Sequence, residues 1–105
     1  GLWAQLRLQE AGGGLRAAGD SVTLSCRMSK GTFEGYSIRW YRQALGGSLE
    51  WVSLINYSGS IKKYGAAVEG RATSSRDSHQ SQSSLFLRAL HPNDSACYFC
   101  TIHTE

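Results

Sequence analysis

The sequence predicts an all-β fold, a sandwich or barrel of antiparallel strands. Apolar and polar residues alternate with period two in several segments, as they do in strands that bury one face. Turn residues separate these segments about every 8–12 positions, which is the rhythm of a sandwich or barrel. No stretch of about ten residues keeps a helical period. With 105 residues, the chain has room for one domain.

Five segments carry the strand pattern in chain order. They are residues 6–9, 21–26, 38–42, 51–55 and 84–88. The fourth is apolar enough to predict a more fully buried strand, and in the fifth Phe86 stands where a polar residue is expected. The Ser/Gln-rich residues 73–84 predict a weak strand, an exposed turn and the start of the next strand. Residues 88–94 have room for one helical turn before Pro92 and no more.

Composition and motifs exclude several classes of function. Charged residues make up 18% of the chain and the net charge is +3, without the clustered Lys and Arg of a nucleic-acid-binding protein. The longest apolar runs are a few residues, so no helix is predicted to cross a membrane. His79, His91 and His103 are scattered, and the sequence contains no phosphate-binding, dinucleotide-binding or nucleophile motif. We therefore expect no enzyme activity, no metal and no cofactor.

The chain has three cysteines, Cys26, Cys97 and Cys100. The last two form a C-x-x-C pattern, but positions i and i+3 of a strand point to opposite faces, so a shared metal or redox bond is not expected. The wide separation of Cys26 and Cys100 suggests one long-range disulfide, which belongs in an oxidising, secretory compartment. An odd count leaves at least one cysteine free or bonded to another chain.

Four residues point to a known family. Cys26, Trp40 and Cys100 occur in the order Cys, Trp, Cys, and Tyr98 lies two residues before the second of these cysteines. Residues 94–100, DSACYFC, are similar to the D-x-A-x-Y-x-C motif of immunoglobulin domains. Together they resemble the immunoglobulin sandwich. The resemblance implies a disulfide between Cys26 and Cys100 that joins two sheets, Trp40 packed against it, and a tyrosine corner at Tyr98.

Longer stretches resemble an antibody heavy-chain variable domain in particular. They are residues 8–15, 19–26, 40–44, 49–53, 64–71 and 75–77, and the likeness covers about residues 5–100 without a gap. Asp20 and Tyr41 are similar to the residues of unpaired camelid heavy-chain domains, also called nanobodies. The resemblance implies a V-type immunoglobulin sandwich of two antiparallel sheets, a salt bridge between Arg71 and Asp94, and a secreted or extracellular protein.

The sequence also departs from the pattern of that family. Ala72 and Ser74 stand where the family usually has Phe and Ile, so we expect the lower core to be underfilled. Leu45 stands where the family usually has Pro. The last strand, with its Trp-Gly-x-Gly bulge, is expected to be missing or truncated. Residues 1–4 fall outside the likeness and are interpreted as a leader remnant or a cloning scar, and residues 5–105 as the V-type domain.

Three stretches resemble the hypervariable loops of that family, which implies binding of a protein antigen at one end of the sandwich. The residues are Gly31, Thr32, Glu34, Gly35, Tyr36 and Ser37 in the first, Asn56, Tyr57, Ser58, Gly59, Ser60, Ile61 and Lys62 in the second, and Thr101, Ile102, His103, Thr104 and Glu105 in the third. Tyr36 and Tyr57 are expected to be aromatic anchors among adaptable Ser and Gly residues. Lys62, Lys63 and Arg39 make the rim basic and favour an acidic partner surface.

Tyr41, Leu49, Trp51 and Phe99 match the face through which paired heavy chains meet a light chain. Leu49 and Trp51 are similar to those of a paired domain, whereas Tyr41 is similar to that of an unpaired one. A face this apolar needs a cover: a light chain, a second V domain or a folded-back third loop. We favour a single-domain fragment covered by its own third loop. The alternative function is a V domain of a T-cell-receptor-like or other cell-surface recognition receptor.

Two N-x-S sequons are possible acceptors for N-linked glycans: Asn56-Tyr57-Ser58 and Asn93-Asp94-Ser95. The first lies in a predicted binding loop, where a glycan would obstruct binding.

Overall fold

The computed structural model describes residues 5–7, 17–27, 35–77 and 82–104, with the side chains of 5–7 and 104 left out of that description. Within these ranges the chain forms β-strands and one short 3₁₀ helix. The strands are β1 (Gln5–Arg7), β2 (Val22–Arg27), β3 (Tyr36–Gln43), β4 (Leu49–Ile55), β5 (Lys62–Tyr64), β6 (Ala72–Asp77), β7 (Gln82–Leu87) and β8 (Cys97–Thr104), and the 3₁₀ helix is Pro92–Asp94.

The strands form two antiparallel sheets, which confirms the predicted all-β V-type sandwich. The larger sheet has the strand order β1-β8-β3-β4-β5, and the smaller has the order β2-β7-β6. β3 and β8 pair along their full length, from Tyr36 opposite Thr104 to Gln43 opposite Cys97. These two strands therefore define the two ends of the sandwich.

The inward faces of the sheets enclose a core around a disulfide. Cys26 on β2 and Cys100 on β8 are bonded, with their Cα atoms 6.3 Å apart, and so link the two sheets. Trp40 lies opposite Cys100 in the pairing of β3 with β8, and both are fully buried. The predicted disulfide and buried tryptophan are confirmed. The other buried apolar side chains are Leu24, Ile38, Val52, Ile55, Val68, Leu85, Leu87, Tyr98 and Ile102.

Two local predictions are wrong. The helical turn begins at Pro92 rather than before it, because a fixed φ and a missing N–H suit proline to the first helical position. The Asp94 N–H closes this turn by donating to the His91 carbonyl at 2.9 Å. Segment 51–55 is also not uniformly buried, since Trp51 is 38% exposed on the outer face of its sheet.

β4 and β5 approach each other so closely at Gly65 that a side chain has no room. The Gly65 N–H donates to the Val52 carbonyl at 2.8 Å. A Cβ atom at this position would lie 2.7 Å from the carbonyl oxygen of Trp51. Because that oxygen belongs to the backbone, the strand itself would have to move to accept any other residue.

The region predicted to be underfilled contains a polar contact between the sheets. Ser74 is fully buried, and Ala72 on the same strand packs against the core, so both face inward as predicted. Tyr64 of β5 reaches Ser74 of β6, where its hydroxyl accepts a hydrogen bond from the Ser74 N–H at 2.8 Å and shares one with the Ser74 hydroxyl at 3.1 Å. Ser74 is smaller than the Ile that the family usually has at this position, but it forms hydrogen bonds with the phenol of Tyr64.

We expect Tyr64→Phe to lower the free energy of unfolding by about 1–3 kcal/mol, because it leaves the buried Ser74 N–H and hydroxyl without the phenol oxygen. Chemical denaturation measures this difference. Tyr41→Phe is the matched control, since it removes the same hydroxyl from the outer sheet face and should change stability by less than about 0.5 kcal/mol. Equal effects of the two variants would contradict this role for Tyr64.

The expected gap beside Ala72 stays a prediction. If it exists, Ala72→Phe fills it and raises the free energy of unfolding by about 0.5–2 kcal/mol, the usual range for cavity-filling substitutions. Thr73→Phe serves as a control because Thr73 is the exposed neighbour on the same strand. A denaturation midpoint no higher than that of the parent would show that the site has no room for the ring.

Candidate functional site

The described residues of the three predicted binding stretches lie toward one end of the sandwich. β3 begins at Tyr36, which pairs with Thr104 at the end of β8, and β4 ends at Ile55, which pairs with Ile38. The turn after β4 therefore lies at the same end of the larger sheet as the start of β3 and the end of β8. Residues 31–34 of the first stretch and Glu105 of the third lie outside the described residues.

The second stretch forms a turn organised by Asn56. The Asn56 side-chain oxygen accepts from the Ile61 N–H at 3.0 Å, and its side-chain nitrogen donates to the Ser60 hydroxyl at 3.1 Å. Its carbonyl accepts from the Gly59 N–H at 3.2 Å, and Gly59 has φ of 80°, which favours glycine. The turn therefore holds its own shape before any partner arrives.

This turn presents side chains of three different chemistries. Tyr57 is 56% exposed and Ile61 is 49% exposed, and Lys62, Ser58 and Ser60 are also exposed. An aromatic ring, an aliphatic group and an ammonium group close together suit recognition of a protein surface, with serine hydroxyls to adapt to it.

The described residues of the other two stretches offer less side-chain surface than the sequence predicted. The third stretch is not a loop from Thr101 onward, because β8 continues to Thr104. Thr101 and Ile102 are buried, and so is Ser37 of the first stretch. Tyr36 is half-buried and packs against the core, whereas Gly35 is exposed and His103 is half-buried.

Three aromatic residues lie side by side on the outer face of the larger sheet. Tyr41 of β3 pairs with Trp51 of β4 on one side and with Phe99 of β8 on the other. Leu49, which is 56% exposed, lies two residues before Trp51 and therefore on the same face of β4. The structure thus brings together the four residues predicted as a partner face. The pairing slips by one position between Trp40 and Tyr41, a bulge that periodicity in the sequence does not reveal.

The same sheet becomes basic toward the loop end. Arg39 of β3 pairs with Leu54, and Leu54 pairs with Lys63 of β5. Burial and the charge of Arg39 lower the pKa of His103, whose ring nitrogen lies 2.8 Å from the Thr101 hydroxyl. Arg39 and Lys63 therefore supply the positive charge here, and His103 does not add to it at neutral pH.

A buried cluster of charges closes the opposite end of the sandwich. Arg71 donates to the two oxygens of Asp94 at 2.8 and 3.0 Å, which confirms the predicted salt bridge. Arg42 donates to Asp94 at 2.8 Å and to Glu50 at 2.6 Å. The Tyr98 hydroxyl donates to the Asp94 carbonyl at 2.7 Å, as expected of a tyrosine corner. The cluster ties β3 and β8 to the 3₁₀ turn.

Sequence reasoning missed Arg42, although the signal was present. Ile38, Trp40 and Arg42 occupy alternate positions of β3, so the period that buries the first two also buries the arginine. Only 6% of Arg42 is exposed, and such a charge is found inside a protein when it is paired.

The pKa values of this cluster keep it ionised. Burial by itself raises the pKa of Asp94, but hydrogen bonds from Arg71, from the His91 N–H and from Arg42 outweigh it and hold the pKa far below its ordinary value. Burial lowers the pKa of Arg42, and its bonds to Glu50 and Asp94 reverse the shift and raise it above the ordinary value. A cluster that stays charged at neutral pH serves structure rather than proton transfer.

Other kinds of site find no support in the described part of the chain. Cys97 is a free, exposed cysteine, on the opposite face of β8 from Cys100, as the strand geometry predicted. Across residues 5–7, 17–27, 35–77 and 82–104, no three His, Cys, Asp or Glu side chains are placed to hold a metal ion. In the same ranges, no helix is long and apolar enough to cross a membrane.

The fold and its surfaces define a class of protein. A two-sheet antiparallel sandwich, joined by a disulfide under a buried tryptophan and presenting turns at one end, is a recognition module of the immunoglobulin type. The family model of the immunoglobulin V-set domain matches residues 15–105. The chain belongs to the immunoglobulin V-set family. Domains of this family are recognition modules rather than enzymes, bind other proteins or pair with other V domains, and are typically extracellular or secreted.

Proposed function

We propose that this chain is an antibody heavy-chain variable domain of the single-domain type, and that it binds a protein antigen through the loop end of the sandwich. The observation that carries the proposal is the turn at residues 56–62. It is held in one shape by the side chain of Asn56, and it exposes Tyr57, Ile61 and Lys62 together. A preformed turn loses little conformational freedom on binding, which favours affinity.

The charge of this end indicates the kind of surface it recognises. Lys62 and Lys63 lie where the turn leads into β5, and Arg39 lies across β4 from Lys63. Opposite charges on two partners raise their rate of association and orient them. They contribute less to the affinity itself. The proposed antigen is therefore a protein with an acidic patch. Tyr57 of this chain provides the aromatic contact with it.

A pair of display libraries tests whether the loop end is the binding end. One library varies residues 57, 58 and 60–62 and keeps Gly59, whose positive φ the turn requires. The matched library varies residues 44, 45, 47 and 48 of the opposite end and keeps Gly46 for the same reason. Both are selected on serum albumin, an acidic protein. Binders from the first library only are expected, and equal recovery from both would contradict the proposal.

The sheet face beside the loops bears on whether a second chain is needed. Leu49 and Trp51 are exposed at 56% and 38%, and Tyr41 lies between Trp51 on one side and Phe99 on the other. This observation favours a second candidate, a heavy-chain domain that pairs with a light chain. The single-domain proposal instead has the third loop fold back over this face.

Sizing distinguishes these two candidates. We expect the chain to elute as a monomer when mixed with a light-chain variable domain. A one-to-one complex that Trp51→Ala abolishes would contradict the single-domain proposal. Phe86→Ala is the matched control, because Phe86 is also 38% exposed but lies on the smaller sheet.

A further inference from the structure

The two N-x-S sequons lie at opposite ends of the sandwich. Asn56 follows β4 at the loop end. Asn93 lies in the 3₁₀ turn before β8, whose first residue, Cys97, pairs with the last residue of β3. A glycan on Asn56 would stand among the proposed antigen contacts, whereas a glycan on Asn93 would project from the other end.

The turn around Asn93 presents its side chain outward on a rigid base. Pro92, Asn93 and Ser95 are exposed, whereas Asp94 between them is 7% exposed and held by Arg42 and Arg71. The Ser95 N–H closes the turn onto the Pro92 carbonyl at 3.1 Å. Among the residues that the structure describes, none makes a hydrogen bond with the Asn93 amide. A substituent on its nitrogen therefore breaks no contact of this turn.

The other sequon is placed differently. The Asn56 amide is used at both of its atoms, as acceptor from the Ile61 N–H and as donor to the Ser60 hydroxyl. Asn56 is also half-buried. A sugar on its nitrogen would replace one amide hydrogen and crowd Ser60, so a chain modified there would lose the preformed turn.

We propose that Asn93 carries an N-linked glycan and that Asn56 does not. The Asn93 side-chain nitrogen forms a bond to the anomeric carbon of a lipid-pyrophosphate-linked oligosaccharide. The bond from that carbon to the pyrophosphate oxygen breaks, the lipid pyrophosphate leaves with its electron pair, and the nitrogen loses one proton. The donor belongs to the oxidising secretory compartment in which the Cys26–Cys100 disulfide forms.

The position of Asn93 makes this glycan compatible with recognition. It is attached at the end closed by the charge cluster, and β3 and β8 separate it from the turn at 56–62 along their full length. The glycan adds polar bulk at the base of the sheet face, next to residues 95–97. It leaves the loop end free to contact a partner.

The test is secretion of the full chain from a eukaryotic cell line, with Asn93→Gln, Ser95→Ala and Asn56→Gln as separate variants. The parent is expected to show one glycan, removed by a peptide-N-glycosidase that converts Asn93 to Asp in the tryptic peptide. Asn93→Gln and Ser95→Ala should both remove the mobility shift, because each destroys the same sequon. Asn56→Gln should leave the shift unchanged.

Formation of the Cys26–Cys100 disulfide in the secreted product is the control for passage through the compartment. A parent chain that forms this disulfide but carries no sugar would overturn the proposal, as would a shift that survives Asn93→Gln and is lost in Asn56→Gln. Sugar at both positions would overturn the part of the proposal that leaves Asn56 unmodified. The result is independent of whether the chain binds an antigen.

Discussion

Replacing both bonded cysteines, Cys26→Ala with Cys100→Ala, should lower the free energy of unfolding by roughly 4–5 kcal/mol. The two residues are 74 positions apart, and in the chain-entropy model closing a loop of that length restricts the unfolded chain by this amount. Both side chains are fully buried beside Trp40, so the smaller alanines also leave space in the core. Since a domain of this size has a total stability of about 5–15 kcal/mol, the variant should be close to unfolding.

Urea denaturation of the parent and the double variant measures this loss. Cys97→Ser is the matched control, because Cys97 is exposed and outside the disulfide, and its denaturation midpoint should equal that of the parent. If the double variant were as stable as Cys97→Ser, the disulfide would not be a main source of stability.

Asp94→Ala should cost about 3–5 kcal/mol, which is typical when one member of a buried ion cluster is removed. The substitution leaves the buried Arg42 and the half-buried Arg71 without their shared carboxylate. Alanine keeps the backbone carbonyl that accepts the Tyr98 hydroxyl, so the change reports on the carboxylate alone. Glu69→Ala is a suitable control, since Glu69 is exposed, and its effect should stay within about 0.5 kcal/mol.

The Asp94 carboxylate also makes the free energy of unfolding depend on pH. The pKa of Asp94 is lower in the folded chain than its ordinary value of 3.8, so the folded state favours the ionised form. Its contribution is complete above that ordinary value and is lost as the pH falls below it toward the folded pKa. Between pH 7 and pH 3 the parent should therefore lose more stability than Asp94→Ala. Parallel pH profiles of the two proteins would contradict this origin.

Strand periodicity explains why much of the fold could be predicted. β2 and β3 alternate as the sequence does, and the Cys26, Trp40 and Cys100 frame places the disulfide in the core. Strand boundaries were harder to predict, since β8 continues through Thr101 into the stretch interpreted as a loop. Pairing with β3 decides that extension, and pairing depends on residues far apart in sequence.

The candidate site was predicted less completely than the fold. Tyr57 and Lys62 are exposed as expected, because polar and aromatic residues in a short turn between strands have little core to enter. Ser37 and Thr101 look like loop residues, but both lie in the paired strands β3 and β8 and are buried there. The contact of Tyr64 with Ser74 joins strands of different sheets, and a contact of that kind has no local sequence pattern.

The charge cluster and the turn at residues 56–62 occupy opposite ends of β3, and no hydrogen bond found within the described part of the chain joins them. Energetic effects of substitutions at sites so separated are additive, since neither changes the surroundings of the other. Substitutions at Tyr57 or Lys62 therefore leave unchanged the stabilisation that Arg42, Arg71 and Asp94 provide at the other end. Exposed residues of the turn can therefore vary while the charge cluster continues to stabilise the fold. Gly65, which follows β5, cannot vary in the same way. A Cβ atom there would collide with the backbone of β4.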